Sequence, residues 1–334
     1  MPVRARLATL RLTLASRDHL TLKTRVPADA AGRTLVDFLV GRFRYHDRGG
    51  WELRIRDGRV RVNGARVPAE QLLARGDSVS YDRPAAEPDV PTDVRIVHDG
   101  AGIVVVDKPA GLPVHADGTF ITRTVVGVLA QRLGTRLRPV QRLDRETSGL
   151  CVLARTRAVA RDLQAALGAG GVRKEYDALG AGVAAFDAQQ VALPIGRAPG
   201  SSVSIRRGIL PPDAPGAQSA RTAVRVHARG EDRTWFRCAL GTGRTHQIRV
   251  HLEALGHPLL GDKLYGRSDE DFLRFVEAMK AGQAPASFTD ASGAARQMLH
   301  ARLLSFPDPA GGEALSFEVE PPDDFLAAAP ARVD

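Results

Sequence analysis

Cysteine is nearly missing from this chain. Cys151 and Cys238 stand far apart in 334 residues, each inside an apolar stretch, so neither a disulfide framework nor a zinc knuckle can be built from them. A reducing, cytoplasmic setting is the expectation. Long apolar runs are missing too: nothing approaches the roughly 18 consecutive apolar residues of a membrane helix, and no membrane partner is expected. The start of the chain has no long apolar core followed by a small-residue cleavage site, which argues against secretion. Acid is scarce there, with Asp18 alone among the many arginines of residues 1–26. That composition fits a transit peptide, but Leu10, Leu12 and Leu14 alternate with polar residues, and a strand explains them equally simply.

Positive charge is in surplus. Lys plus Arg number 47 against 38 for Asp plus Glu, an excess of nine. Such an excess favours a polyanionic partner, because clustered cations release counterions from a phosphate backbone. A well-solvated arginine-rich surface explains the same number, so charge alone does not decide. Hydrophobic residues at 43% and charged residues at 25% match a globular protein, and the length suits about two domains.

Residues 33–82 read as a small α+β unit, the core of an N-terminal region spanning 1–82. Arg33 to Arg44 predicts a helix with Leu35, Phe38, Leu39 and Phe43 on one face. Arg54 to Arg59 is basic, and Arg59-Val60-Arg61-Val62 alternates into Asn63-Gly64, a hairpin signal. Arg75-Gly76-Asp77-Ser78-Val79 supplies another turn into a strand. Residues 83–91 hold three prolines and read as a linker. Residues 92–330 then form one larger domain. Its β-like runs are 102–106, 150–154, 223–227, 236–240 and 247–252; its helical runs are 124–133, 158–167 and 269–281. This irregular order predicts an α+β fold with a mixed, mainly antiparallel sheet and flanking helices, not a Rossmann repeat. Residues 196–219 and 281–295 read as loop insertions, more simply tolerated surface loops than specificity elements.

The segment Gln141-Arg142-Leu143-Asp144-Arg145-Glu146-Thr147-Ser148-Gly149-Leu150 sets a carboxylate between arginines, then a Thr-Ser-Gly turn, then an apolar strand. Nearby guanidinium groups favour the ionised acid; hydroxyls can tie the turn to backbone, and Gly149 admits an unusual backbone angle. Alone, this is a surface ion pair. Its company changes the reading. Upstream stands Asp107-Lys108-Pro109-Ala110-Gly111-Leu112-Pro113-Val114-His115. Downstream come Lys174-Glu175-Tyr176, then Thr242-Gly243-Arg244-Thr245-His246-Gln247-Ile248-Arg249-Val250-His251 continuing through Gly256-His257-Pro258 to Gly261–Gly266, and finally Arg296-Gln297-Met298-Leu299-His300-Ala301. In type and order these resemble the motifs of RluA-type pseudouridine synthases (R-L-D-x-x-T-S-G, K-P-x-G-x-x-x-H, K-x-Y, T-G-R-T-H-Q-I-R-x-H and R-Q-x-L-H-A), covering nearly all of residues 95–325.

The resemblance implies an RNA isomerase, with ribosomal RNA the favoured substrate over transfer RNA. Asp144 is then the nucleophile, attacking the uridine at the anomeric carbon or at the base, so that the uracil detaches, turns and rejoins through carbon 5. Tyr176 stacks on the base and is a candidate for proton removal, and Arg249 pairs with Asp144. A strand over 247–252 puts Gln247, Arg249 and His251 on one polar face. Arg142 helps fill the space of the flipped nucleotide, and Lys108, Arg244, His246 and Gln247 are the further substrate-binding candidates. Residues 33–82 resemble an S-four-type (alpha-L) RNA-binding domain, through Val60-Arg61-Val62-Asn63-Gly64 and Gly76-Asp77-Ser78-Val79. That likeness nominates Arg54, Arg56, Arg59, Arg61 and Asn63 as RNA contacts.

Two departures stand out. Gln141 occupies the place where the family usually has His, and glutamine hydrogen-bonds but does not titrate. Tyr45 to Trp51 replaces the Ser-Arg-rich helix start of the S-four type. The isomerisation conserves atoms and redox state, so no cofactor is expected. The Gly241–Arg244 run is neither a Walker loop nor a G-x-G-x-x-G turn. His246 and His251 fall on opposite faces of the expected strand, so no metal site is expected either. A glycosidase-like pair of Asp144 with Glu146 or Asp107 has no supporting motif. The alternative from another class is a non-catalytic RNA-binding or ribosome-assembly protein, which has no need to keep Asp144, Tyr176 and Arg249 together. RNA is the expected partner, no obligate protein partner is implied, and a monomer is the default.

Overall fold

The computed structural model describes residues 11–14, 19–43, 46–84, 87–116, 120–168, 170–280 and 293–330. Contacts divide the chain into two units, Met1–Pro88 and Asp89–Asp334.

The first unit is a four-stranded antiparallel sheet, in the order β1 (Arg11–Leu14), β2 (His19–Arg25), β4 (Ser78–Pro84), β3 (Val60–Val62), with helices α1 (Leu35–Arg42) and α2 (Arg48–Arg56). Local chemistry sets its boundaries. Thr34 caps α1 by accepting the Asp37 amide, and Asp47 caps α2 by accepting the Gly50 amide, each satisfying an orphan donor of the first turn. Asn63 and Gly64 both take positive φ, 52° and 86°, as the Asn-Gly hairpin signal requires. Trp51 is fully buried and packs edge-on against Tyr81, with centroids 5.1 Å apart. Strand β4 continues through Arg83 and Pro84, which pair with Leu20 and His19. The strand thus runs two residues into the segment whose proline content read as linker; its partner β2 carries the pairing further than composition indicates.

The second unit is built on a ten-stranded, mainly antiparallel sheet. Its strands are β5 (Arg95–Asp99), β6 (Ile103–Lys108), β7 (Arg138–Pro139), β8 (Ser148–Ala154), β9 (Arg173–Ala181), β10 (Ala188–Val191), β13 (Thr222–Arg229), β14 (Arg233–Leu240), β15 (Leu299–Phe306) and β16 (Leu315–Glu318); β11 (Ile195–Arg197) and β12 (Arg207–Ile209) pair separately. The main path runs β10-β13-β14-β9-β15-β8-β6-β5, and β15 and β8 are parallel at the centre. Strand alternation sorts the core onto two faces. Val104 and Val106 join one cluster with Val125 and Leu129 of α3 (Val125–Leu133), while Ile103 and Val105 join another with Ala160 and Leu163 of α4 (Arg157–Gly168). β8, with helices over both faces, is buried along its whole length, which is why it reads as an unbroken apolar run.

Residues 247–252 are not the expected strand: they lie in helix α5 (Gln247–Ala254), so Gln247 and His251, four apart, share a face and Arg249 lies off it. The alternation of Ile248, Val250 and Leu252 imitates a strand, but every residue from Gln247 to Leu252 is buried, and a helix buried all round carries no helical period of polarity. Nor is 196–219 a plain loop. It contributes to β11 and β12, and its Val203 joins Ile195, Val250, Leu264 and Tyr265 in a small core of its own. Helix α6 (Asp269–Lys280) precedes the 281–295 segment, most of which lies outside the described residues. Helix α7 (Asp323–Ala328) follows β16, its Phe325 packing edge-on against Trp235 of β14. Among the described residues no helix is long and apolar enough to cross a membrane.

Candidate active site

Asp144 lies on the loop between β7 and β8, and the Thr-Ser-Gly turn fastens that loop residue by residue to Gln297 and the start of β15. Thr147 Oγ1 accepts from Gln297 Nε2 at 2.7 Å, and Ser148 Oγ meets His300 Nδ1 at 3.0 Å. Gly149 has φ 104° and presses on Ala301, whose carbonyl oxygen would stand 2.3 Å from any Cβ placed there. Only glycine meets both demands. The R-Q-x-L-H-A and R-L-D-x-x-T-S-G segments are therefore two sides of one junction.

Two lysines hold the same loop. Lys108 is fully buried, and its ammonium donates to the carbonyls of Pro109, Leu112 and Arg145 at 2.9, 2.9 and 3.0 Å. Burial pushes its pKa down to about 7, whereas three carbonyl acceptors match the three N–H donors of the charged form. Lys108 thus sits beneath the Asp144 loop as a clamp, away from solvent. Lys263 Nζ reaches Glu146 Oε2 at 3.3 Å, and the same oxygen accepts the backbone N–H of Gln297 at 3.1 Å.

The carboxylate itself faces α5. Arg249 donates to Asp144 Oδ2 at 2.7 Å and grips Asp262 with two further bonds of 2.7 and 2.8 Å. Asp262 is fully buried and also accepts the amides of Leu264 and Tyr265. The guanidinium lies 4.8 Å from the centre of the Tyr265 ring. One cation is thus shared by two anions, and it is 9% exposed while Asp144 keeps 31%. Burial acts to raise the pKa of Asp144, but the charge and hydrogen bond of Arg249 outweigh it and hold the carboxyl below its usual range. The result is an anion fixed from behind and open in front.

Of the other expected site residues, Tyr176 and His246 lie near this anion. Tyr176, on β9, is buried, and its pKa is raised by burial first and then by Cys151 and Asp144; its phenol is protonated at neutral pH. His246 caps α5 with its Nε2 3.9 Å from Asp144 Oδ1. Burial holds its pKa down, to about 4, so the ring is neutral. Arg142 is exposed with no hydrogen-bond partner among the described residues. Gln247 is committed inward: its amide accepts from Thr242 and the Arg244 N–H and donates to Arg221 O and Thr222. Arg244 is exposed and donates to Ser219 O. The Gln141 backbone carbonyl accepts from the Cys151 thiol at 3.8 Å, and the Gln141 side chain makes no bond among the described residues. Glu146 is turned to Lys263, and Asp107 to Arg95 at 2.8 Å. His251 is occupied by Thr222 and Leu193 O, and no metal-binding cluster occurs among the described residues.

In the first unit, Arg54 bonds Tyr81 and Gly50 O, and Asn63 is closed into the turn by Asp77 and Ser78. Arg61 approaches Asp82 at 3.9 Å. Arg56 is exposed at the end of α2, and Arg59 is half-buried.

Sequence reasoning assigned no role to Asp262, Tyr265 or Gln297. All three lie inside motif segments, and a buried partner for a buried arginine had to exist, but a pairing of Arg249 with Asp262, or of Asp144 with Gln297, is not visible in spacing.

The chain thus sets an arginine-held aspartate, open to one side, on a mainly antiparallel sheet with flanking helices. The family description "RNA pseudouridylate synthase" matches residues 102–254. The chain is 34% identical to the ribosomal large subunit pseudouridine synthase D of Neisseria meningitidis, over 93% of this chain and 82% of that one. It is 29% identical to the mitochondrial tRNA pseudouridine(32) synthase of Saccharomyces cerevisiae, over 75% of this chain and 54% of that one. Among solved structures, human RNA pseudouridylate synthase domain containing 4 matches with TM-score 0.54 and 29% identity, over 70% of this chain and 91% of that one. The chain belongs to the RluA-type family of RNA pseudouridine synthases, which isomerise uridine to pseudouridine in RNA.

Proposed function

We propose that the chain isomerises specific uridines of a structured ribosomal RNA, with Asp144 as the nucleophile and the Met1–Pro88 unit as an S-four-type RNA-binding domain, in the cytoplasm. One observation carries the mechanism: Asp144 is anchored through Arg249 to buried Asp262, yet its own side chain remains 31% exposed. A carboxylate so held stays ionised and needs no reorientation to attack. In the proposed reaction one Asp144 oxygen bonds to the anomeric carbon, and the electron pair of the broken glycosidic bond leaves with the uracil. The uracil turns and bonds through carbon 5, which releases the ester. The hydrogen lost from carbon 5 is balanced by the one that nitrogen 1 gains. Tyr176 serves as the stacking surface, and its raised pKa makes it a protonated phenol at rest, not a waiting base. Arg142, exposed and uncommitted, fills the space left by the flipped nucleotide.

The ribosomal reading is supported by the Neisseria relative, whose match extends over 93% of this chain and 82% of that one. Of the arginines nominated in the first unit, Arg54 and Arg61 face Tyr81 and Asp82, which leaves Arg56 and Arg59 to meet phosphates. Mapping pseudouridines in cellular RNA with and without this gene tests the proposal. Loss confined to ribosomal RNA is expected; loss confined to transfer RNA would contradict the substrate, and loss of none would contradict the activity.

A further inference from the structure

His246 is one of two non-glycine residues with positive φ among the described residues, at 59°. Non-glycine residues take this conformation uncommonly, with Asn, Asp and His the most ready to do so, so the contacts of this ring merit a close reading. Its Nδ1 lies 2.8 Å from the Tyr265 hydroxyl, and its Nε2 faces Asp144 Oδ1 at 3.9 Å. Tyr265 is 1% exposed, and its oxygen accepts the backbone N–H of Arg207 at 3.1 Å.

Counting protons decides the tautomer. A phenol donates once and accepts up to twice. If Nδ1 is bare, Tyr265 donates to it while accepting from Arg207, and every group is used. If Nδ1 carries the proton, the phenol hydrogen has no acceptor among the described residues, and a bare Nε2 lone pair faces an anion. Both considerations select the form protonated at Nε2.

The two oxygens of Asp144 are then unequal. Oδ2 receives Arg249 at 2.7 Å and Gln297 at 3.5 Å. Oδ1 accepts no hydrogen bond from any described residue and faces the His246 N–H. We propose that Oδ1 is the reacting oxygen of Asp144, and that His246, fixed by Tyr265 and the Arg207 amide, is the positioning residue that aims it. This rests on Asp144 being the nucleophile. At 3.9 Å the N–H steers the oxygen without taking up a lone pair. Oδ1 spends one pair on the new carbon–oxygen bond and regains it, with its charge, beside the same N–H when the ester breaks. Arg207 opens β12, so the β11–β12 segment reaches the nucleophile through two hydrogen bonds and one electrostatic contact.

Nitrogen-15 NMR of the wild-type chain, with His246 assigned through His246→Gln, reads the tautomer without turnover. A proton on Nε2 is expected; a proton on Nδ1 would overturn the proposal. Tyr265→Phe keeps the ring over Arg249 and removes the hydroxyl, so mixed tautomers and a roughly tenfold lower kcat at unchanged KM are expected. His246→Gln, whose amide can occupy the Nε2 position, should turn over several-fold faster than His246→Ala. A wild-type kcat in Tyr265→Phe, or equal rates for Gln and Ala, would sink the positioning role. Activity in Asp144→Asn would instead sink the nucleophile reading and leave the tautomer result standing.

Discussion

Asp262→Asn is the most informative perturbation of the buried framework. The substitution preserves shape but removes the charge that faces Arg249 through two bonds, and it points an amide N–H at a guanidinium that can only donate. Breaking a buried ion pair by removing one partner costs roughly 3–5 kcal/mol. The lower part of that range applies, because the amide oxygen can still accept from the Leu264 and Tyr265 backbone. For a unit of this size each kcal/mol moves the melting temperature by about 2–4 °C, so a loss of about 3 kcal/mol lowers it by about 6–12 °C. Turnover should fall as well, because Arg249 keeps only Asp144 as an anionic partner and no longer has a fixed rear anchor. A ten- to hundredfold drop in kcat corresponds to about 1.4–2.8 kcal/mol of barrier. Thermal unfolding followed by circular dichroism gives the first quantity, and tritium release from RNA labelled at uracil carbon 5 gives the second. Asp187→Asn, which removes the 93% exposed partner of Arg229, is the control and should do neither. If Asp262→Asn melts and turns over like that control, the shared-cation account of the site is wrong.

Gly149→Ala should destabilise the β8–β15 junction by about 3 kcal/mol or more, because φ 104° and the Ala301 carbonyl both oppose a side chain; a urea midpoint equal to wild type would refute this. His246 is held down to about 4 in the fold, by burial first and Arg249 second, against about 6.5 unfolded. The stability it protects is therefore whole above pH 6.5 and is lost as pH falls toward 4, by roughly 3 kcal/mol. His246→Gln should flatten that part of the stability profile, and an unchanged profile would count against the neutral ring. Arg56→Ala with Arg59→Ala should reduce the slope of log affinity against log salt by about 0.9 for each phosphate that the variant no longer neutralises. An unaltered slope would remove the first unit from the RNA-binding account.

The parts that were legible in the sequence share a physical trait. Helices α1, α3, α4 and α6 carry one apolar face, and two chain signals sit where their chemistry puts them: the Asn63-Gly64 turn and the apolar run of β8. Asp144 and Arg249 were legible as a pair through motif order. Helix α5 was not, because complete burial erased its period and Ile248, Val250 and Leu252 left only a false alternation. The 196–219 segment looked like surface because Gly, Pro and Ser dominate it, yet Ile195 and Val203 pack beside Tyr265. Lys108 and Gln247 look like surface ligands in a sequence, since nothing there reveals that backbone carbonyls and neighbouring turns take up their hydrogen bonds.

The central claim is that the Asp144 carboxylate performs the reaction, and Asp144→Asn tests it most directly. Pseudouridine formation and RNA affinity are measured on the same preparation. No detectable product is expected, with affinity within a few-fold of wild type. Product at the wild-type rate would contradict the claim.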